Sequence, residues 1–266
     1  MCRMAALVGP SPVPLSALLS DPAHSLSEQA YRPRFQHHGF VNVDGTGVIW
    51  WPDDGHGGPG APLRYVTDKP PWADANLPGL APRLSGRAQV AAVRSATPGM
   101  PYGPGAVGPF LYDGIAVAHN GRVEGIKGPL GRKLLDRLPD DLYARIDVLT
   151  DSVLLALTVV AELRERPDAG LAGALVATVR EVERRATDAG RIALLTMLAC
   201  DGHGLVGVRA AVGAPSPTLF TAARPSFALA ASEPLDDQPD WAKVPDRHLV
   251  ELLPGVAALT PLEQAS

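Results

Sequence analysis

Residues 150–190 read TDSVLLALTVVAELRERPDAGLAGALVATVREVERRATDAG, and this stretch decides the fold class. Its first half is an apolar run of helical length. Thr150 or Asp151 can cap its start, and Arg164 and Arg166 stand at the end where the helix dipole favours cations. The second half spaces Leu171, Leu175, Val179 and Val182 as one face of an amphipathic helix, with Asp168 as a cap and Gly190 as the stop. On both sides of this helical pair the pattern changes to short runs rich in Val, Ile, Ala and aromatics, punctuated by Gly, Pro and Asp. These predict strands over 39–51, 63–67, 88–94 and 115–119 before the pair. After it come 192–200, 205–210, 218–221, 227–231 and a hairpin across Pro254 and Gly255. Strands grouped around a helical block predict an α+β fold of packed layers rather than alternating βαβ units.

Composition narrows the class. The chain has 266 residues, 46% of them hydrophobic, enough for one large core; no repeat or composition break divides it, so residues 2–266 are expected to form one domain. The formal net charge is −4 with the two signs interspersed, which gives no footprint for nucleic acid. No uninterrupted apolar stretch reaches the ~18 residues of a membrane span. Gly9, Pro10, Pro12 and Pro14 break up the apolar start, so a signal peptide is not expected either. Cys2 and Cys200 are the only cysteines, too few for a disulfide framework or a cysteine-rich metal site, and the cytoplasm fits best. His37, His38 and His56 lack metal-ligand spacing, so neither metal nor cofactor is expected. WPDDGHGGPGAP, residues 51–62, reads as a surface loop, and Cys200 sits in an apolar run and reads as core. The oligomeric state stays open, a homodimer included.

Cys2 raises the question of chemistry. If Met1 is removed, one residue carries both a thiol and a free α-amine, whose reference pKa of ~7.7 to 8.0 suits a base and acid near neutrality. Cys2 also reads as an ordinary small apolar residue. Two further segments bear on the choice: AVRSATPG at 92–99 and AHNGRVEG at 118–125, each with polar residues at the end of a predicted strand. Arg94 can bind a carboxylate through its planar fork, or serve as a surface ion-pair partner. Asn120 and the Gly121 amide can form a two-donor oxyanion hole, or simply a turn. Asp151 can hold an ammonium group, or only cap a helix.

Taken together, Cys2, Arg94-Ser95-Ala96-Thr97, His119-Asn120-Gly121 and Thr150-Asp151-Ser152 stand in the order of the motifs of one family. The chain resembles the class II glutamine amidotransferases, which are N-terminal-nucleophile (Ntn) hydrolases. It is most similar to their branch of γ-glutamyl hydrolases of ergothioneine biosynthesis, which act on γ-glutamyl-hercynylcysteine sulfoxide. The stretches that carry this closer likeness are MCR, DPAHSL, HGFVNVDGTGVIWW from His38, PWADA, AAVRSATPGMP, HNGRVEG, TDSVLLAL, ASEPLDDQPDW and VPDRHLV, which run nearly from end to end.

The resemblance implies a four-layer αββα sandwich and a cofactor-free hydrolysis of a small-molecule γ-glutamyl substrate. Cys2 would attack the γ-carbonyl to form a glutamyl thioester, and Asn120 with Gly121 would hold the oxyanion. Arg94 would grip the glutamyl carboxylate and Asp151 its ammonium, with Thr97 and His119 on the same substrate-binding side. His38, Asn42 and Asp44 would support the nucleophile's surroundings. Met4 stands where close relatives carry a histidine, and the loop 53–61 is long and glycine-rich; both bear on substrate preference. If the substrate carries a quaternary ammonium, one of Trp50, Trp51, Trp72 and Tyr102 is expected at the pocket mouth. The alternatives are a glutaminase subunit feeding ammonia to a partner and an inactive γ-glutamyl-binding relative.

Overall fold

The computed structural model describes residues 2–36, 41–96 and 99–265. Its first element is one that the sequence pattern does not announce: β1, Arg3–Pro14, a strand in the middle of a sheet. Alternation explains its burial on both sides. Met4, Ala6 and Val8 face one apolar layer, and Ala5 and Leu7 face another. Its prolines are tolerated because the register with its neighbour shifts between Val8 and Val13, so that residues 10–12 step out to solvent.

The other strands follow in order: β2 Thr46–Trp51, β3 Leu63–Thr67, β4 Ser85–Val93, β5 Phe110–Tyr112, β6 Ile115–Val123, β7 Ala193–Cys200, β8 Leu205–Arg209, β9 Ala211–Val212, β10 Phe220–Arg224, β11 Phe227–Ala231, β12 Ala242–Lys243, β13 His248–Leu253 and β14 Val256–Pro261. They form two antiparallel sheets. The first runs β12-β10-β11-β1-β4-β2-β3 and the second β14-β13-β8-β7-β6-β5, with β9 on the flank of β7. Three hydrophobic clusters fill the three spaces between four layers. One lies between the sheets and includes Met4, Ala118, Leu198 and Cys200. A second lies beneath α1, Ser16–Leu19, and α2, Leu26–Tyr31, on the first sheet. The third lies beneath α3, Asp151–Glu165, and α4, Gly170–Asp188, on the second. This is the αββα sandwich that the resemblance implies.

The helical pair forms as expected, with one correction. Thr150 caps α3, its Oγ1 accepting from Val153 N at 3.1 Å, and Gly190 takes the left-handed conformation just beyond α4 (φ +60°). Asp168 is not a cap: it sits in a one-turn 3-10 segment, Pro167–Ala169, and α4 starts at Gly170 without a side-chain cap. A second correction concerns His119-Asn120-Gly121, which is no turn. These residues continue β6 and pair with Met197, Thr196 and Leu195 of β7. Gly121 makes that approach possible, since a Cβ there would lie 1.9 Å from the Leu194 carbonyl oxygen. Among the described residues no helix is long and apolar enough to cross a membrane.

Candidate active site

The first sheet delivers two of the expected groups to one end. β1 and β4 are antiparallel neighbours with Arg3 opposite Val93, so Cys2, just before one strand, meets residues 94–96, just after the other. The Cys2 Sγ lies 4.0 Å from the Ser95 carbonyl oxygen. The second sheet contributes Gly121 and the start of α3 contributes residues 150–152. With Met100 and Ala106 these groups line one narrow cleft.

Arg94 is buried, and its guanidinium is only half used. Nη2 donates to the Pro101 carbonyl at 2.7 Å, while the buried Nη1 finds no acceptor among the described residues. A buried donor without a partner is costly, so this geometry favours an incoming anion. Asp44 holds the turn that carries Arg94: its N–H donates to the Arg94 carbonyl, and its Oδ2 accepts from Ala96 N at 2.7 Å. Asp151, also buried, accepts from Val123 N with Oδ2 at 3.0 Å and from Ser152 N with Oδ1 at 2.8 Å. Ser152 Oγ also lies 3.4 Å from Oδ1. A carboxylate suits the first turn of a helix, and Oδ2, with one donor, keeps a lone pair for a ligand.

The direction of the Gly121 N–H follows from strand alternation. Glu124 N donates to Ile192 on the β7 side, whereas Val123 N donates the other way, to Asp151. Amides two apart in a strand point the same way, so Gly121 N–H points from β7 toward the cleft. Asn120 projects instead into the layer between the sheets, on the side where Met4 packs. Its Nδ2 makes only a long contact, 3.5 Å, to Ser232 Oγ, and its Oδ1 has no partner among the described residues.

His119 does not line the cleft. Its Nε2 lies 2.8 Å from the Leu194 carbonyl oxygen and must be the donor there. In the neutral ring Nδ1 then accepts from Ser152 Oγ, 2.9 Å away, so His119 orients a residue that does line the cleft. Asn42 is also remote from it, tying the chain to the Ala30 carbonyl of α2 and to Gln36 Oε1 beyond that helix. His38 and Thr97 lie outside the described residues. Of the four aromatics, Trp50 and Trp51 are core and Trp72 stands edge-on to Tyr31. Only Tyr102 neighbours a cleft residue, its ring centroid 5.9 Å from the Arg94 guanidinium carbon. Among the described residues no group of His, Cys, Asp or Glu is placed to hold a metal ion. Burial pushes the Cys200 thiol up to about 12, which leaves it inert.

No family model matches the chain. Among proteins of known name, it is 35% identical over 98% of its length to the γ-glutamyl-hercynylcysteine sulfoxide hydrolase of Mycolicibacterium smegmatis, all of which it covers. It is 36% identical over its whole length to the enzyme of that name from Mycobacterium tuberculosis, covering 98% of it. The chain belongs to the γ-glutamyl-hercynylcysteine sulfoxide hydrolase family. Among solved structures, a glutamine aminotransferase class-II domain protein from Silicibacter pomeroyi superposes on this hydrolase-family chain with a TM-score of 0.69. That match spans 98% of this chain and 99% of the other at 20% identity, so the family member has the class II fold.

Four residues around the site of this hydrolase-family chain escaped assignment from sequence: Arg3, His24, Ser232 and Glu233. All lie in stretches that carry the family likeness, MCR, DPAHSL and ASEPLDDQPDW, but nothing in those stretches says that they meet. Ser232 Oγ accepts from Met4 N at 3.0 Å as well as from Asn120.

Proposed function

We propose that this chain hydrolyses the γ-glutamyl amide of γ-glutamyl-hercynylcysteine sulfoxide to glutamate and hercynylcysteine sulfoxide. The observation that carries the reading is one cleft lined by Cys2, by Asp151 and by Arg94, whose buried Nη1 has no partner among the described residues. A thiol, a carboxylate clamp and an ammonium clamp in one small cleft match the three groups of a γ-glutamyl unit: carbonyl, α-carboxylate and α-ammonium.

With Met1 removed, the Cys2 α-amine takes the thiol proton and Sγ bonds to the γ-carbonyl carbon. The oxyanion accepts from Gly121 N–H and from Asn120 Nδ2, which its long contact to Ser232 leaves free to turn. The α-ammonium returns the proton to the leaving nitrogen, the C–N bond breaks and a glutamyl thioester remains. Water then attacks the thioester, gives its proton to the same amine, and glutamate leaves as the thiol is restored. The chain's own groups and one water complete this scheme. We assign it to one domain spanning residues 2–266 and acting in the cytoplasm.

The test is glutamate release by untagged protein, with loss of Met1 confirmed by intact mass, on γ-glutamyl-hercynylcysteine sulfoxide and on glutamine at equal concentration. A strong preference for the former is expected. Preference for glutamine, or release only after adding a partner, would replace the hydrolase with a glutaminase. Silence on both would leave an inactive γ-glutamyl binder.

A further inference from the structure

Three stretches that carry the family likeness, MCR, DPAHSL and ASEPLDDQPDW, converge directly behind the nucleophile, through residues the mechanism above does not use: Arg3, His24 and Glu233. Strand alternation turns Cys2 and Met4 to the space between the sheets and turns Arg3 the opposite way, under α1 and α2. There the Arg3 side chain folds back and donates from Nε to the Cys2 carbonyl at 2.8 Å. Its Nη1 donates to Glu233 Oε1 at 2.9 Å, and both side chains are 0% exposed. Glu233 is saturated: Oε1 also accepts from Phe35 N at 2.9 Å, and Oε2 accepts from His24 Nε2 and Arg34 N, each at 2.7 Å. His24 is anchored in turn, its N–H on the Leu235 carbonyl and its own carbonyl accepting from Gln29 Nε2 at 2.8 Å. One carboxylate thus joins the start of β1, the α2 region and residues 34–35.

We infer that Arg3 and Glu233 are positioning residues that clamp the nucleophile-bearing end of the chain. The inference rests on the reading of Cys2 as an N-terminal nucleophile. Once Met1 is gone, Cys2 is tethered by a single peptide bond, and chain ends fray unless tied down. The Arg3 fork ties that peptide: a rigid, planar guanidinium links the Cys2 carbonyl to a carboxylate that itself cannot move. The orientation of this peptide sets where the Cys2 amine and thiol stand relative to Gly121 and Arg94. Lysine cannot replace the fork, because one ammonium nitrogen cannot reproduce two donors held in a plane. Ser232, next to Glu233, holds Met4 N and Asn120, so one dipeptide references both the nucleophile and the oxyanion donor.

The test uses Arg3→Lys, which keeps the buried charge balanced, and Glu233→Gln beside it, all as Met1-free protein confirmed by intact mass. A misplacement near 1 Å can cost on the order of 100-fold in rate, so kcat should fall about 10- to 100-fold in folded Arg3→Lys. KM should stay within about two-fold, since neither residue touches substrate. A second readout does not need turnover. A loosened terminus exposes the half-buried Cys2, so iodoacetamide should alkylate it several-fold faster in Arg3→Lys, while Cys200 stays unreacted as an internal control. Glu233→Gln should repeat both effects if it folds; if it does not, Arg3→Lys alone decides. A folded Arg3→Lys protein with wild-type kcat or with an unchanged Cys2 alkylation rate would overturn the clamp. A wild type silent on every γ-glutamyl substrate would instead overturn the proposed function, and the alkylation rates would still settle the clamp.

Discussion

The two charged clusters at the start of β1 lie on opposite faces of the same sheet, and they differ in whether their charges are paired. On the outer face the Glu233 carboxylate has four donors, and Arg3 binds both a carbonyl and a carboxylate, with only its Nη2 unpartnered among the described residues. In the cleft, Arg94 and Asp151 have no ion-pair partner among the described residues, Arg94 Nη1 and Asn120 Oδ1 are buried without partners there, and Asp151 meets two backbone amides and, at 3.4 Å, the Ser152 hydroxyl. A buried charge normally has a counter-charge, so an arginine and a carboxylate that lack one mark where a ligand completes the structure, and the closed ion pair marks framework.

The comparison can be broken most severely at the nucleophile. Cys2→Ala should abolish glutamate release, a loss of at least ~10^4-fold in kcat, while the γ-glutamyl substrate still binds measurably by calorimetry. Retained turnover would remove Cys2 from the open cluster. Asn120→Ala should cost about 10^2- to 10^3-fold in kcat, the usual effect of deleting one oxyanion donor, with KM little changed. Arg94→Lys acts on binding instead. It keeps the charge but loses the fork, and an effect of ~10-fold or more should appear mainly in KM; an unchanged specificity constant would refute the carboxylate clamp.

The smallest effect belongs to the closed cluster and is read in stability. Burial alone would raise the Glu233 carboxyl, but the His24 and backbone hydrogen bonds and the Arg3 charge outweigh it and hold the group below the ordinary carboxylate value. A depressed folded value contributes stability that is present above the unfolded pKa, ~4.3 for glutamate, and is lost as pH falls through the folded one. The melting-temperature gap between wild type and Glu233→Gln should therefore narrow as pH drops from about 6 toward 3. A gap that widens in acid would reverse the sign of that account.

Much of this was legible in the sequence because it depends on local pattern. The spacing in α4, the Thr150 cap, the left-handed Gly190 and the strand Phe227–Ala231 all follow from neighbouring residues. β1 was not legible, because Pro10, Pro12 and Pro14 read as breakers, and only the register shift beside β4 shows how a strand absorbs them. His119-Asn120-Gly121 looked like a turn for a similar reason: the Asn-Gly pair is a turn signal that pairing with β7 overrides. The Arg3–Glu233 pair joins residues 230 positions apart, and nothing in a single sequence ties two such distant charges. The cleft residues are legible because they stand in motifs of a recognisable family, whereas their supports are defined only by the fold.

The central claim is that a processed N-terminal cysteine supplies both nucleophile and base. The most direct test compares two preparations of the same chain, one with Met1 removed and one with Met1 retained, in glutamate release from γ-glutamyl-hercynylcysteine sulfoxide. Turnover confined to the Met1-free protein is the predicted result, because an amide nitrogen at Cys2 is no base. Equal turnover by both would contradict it.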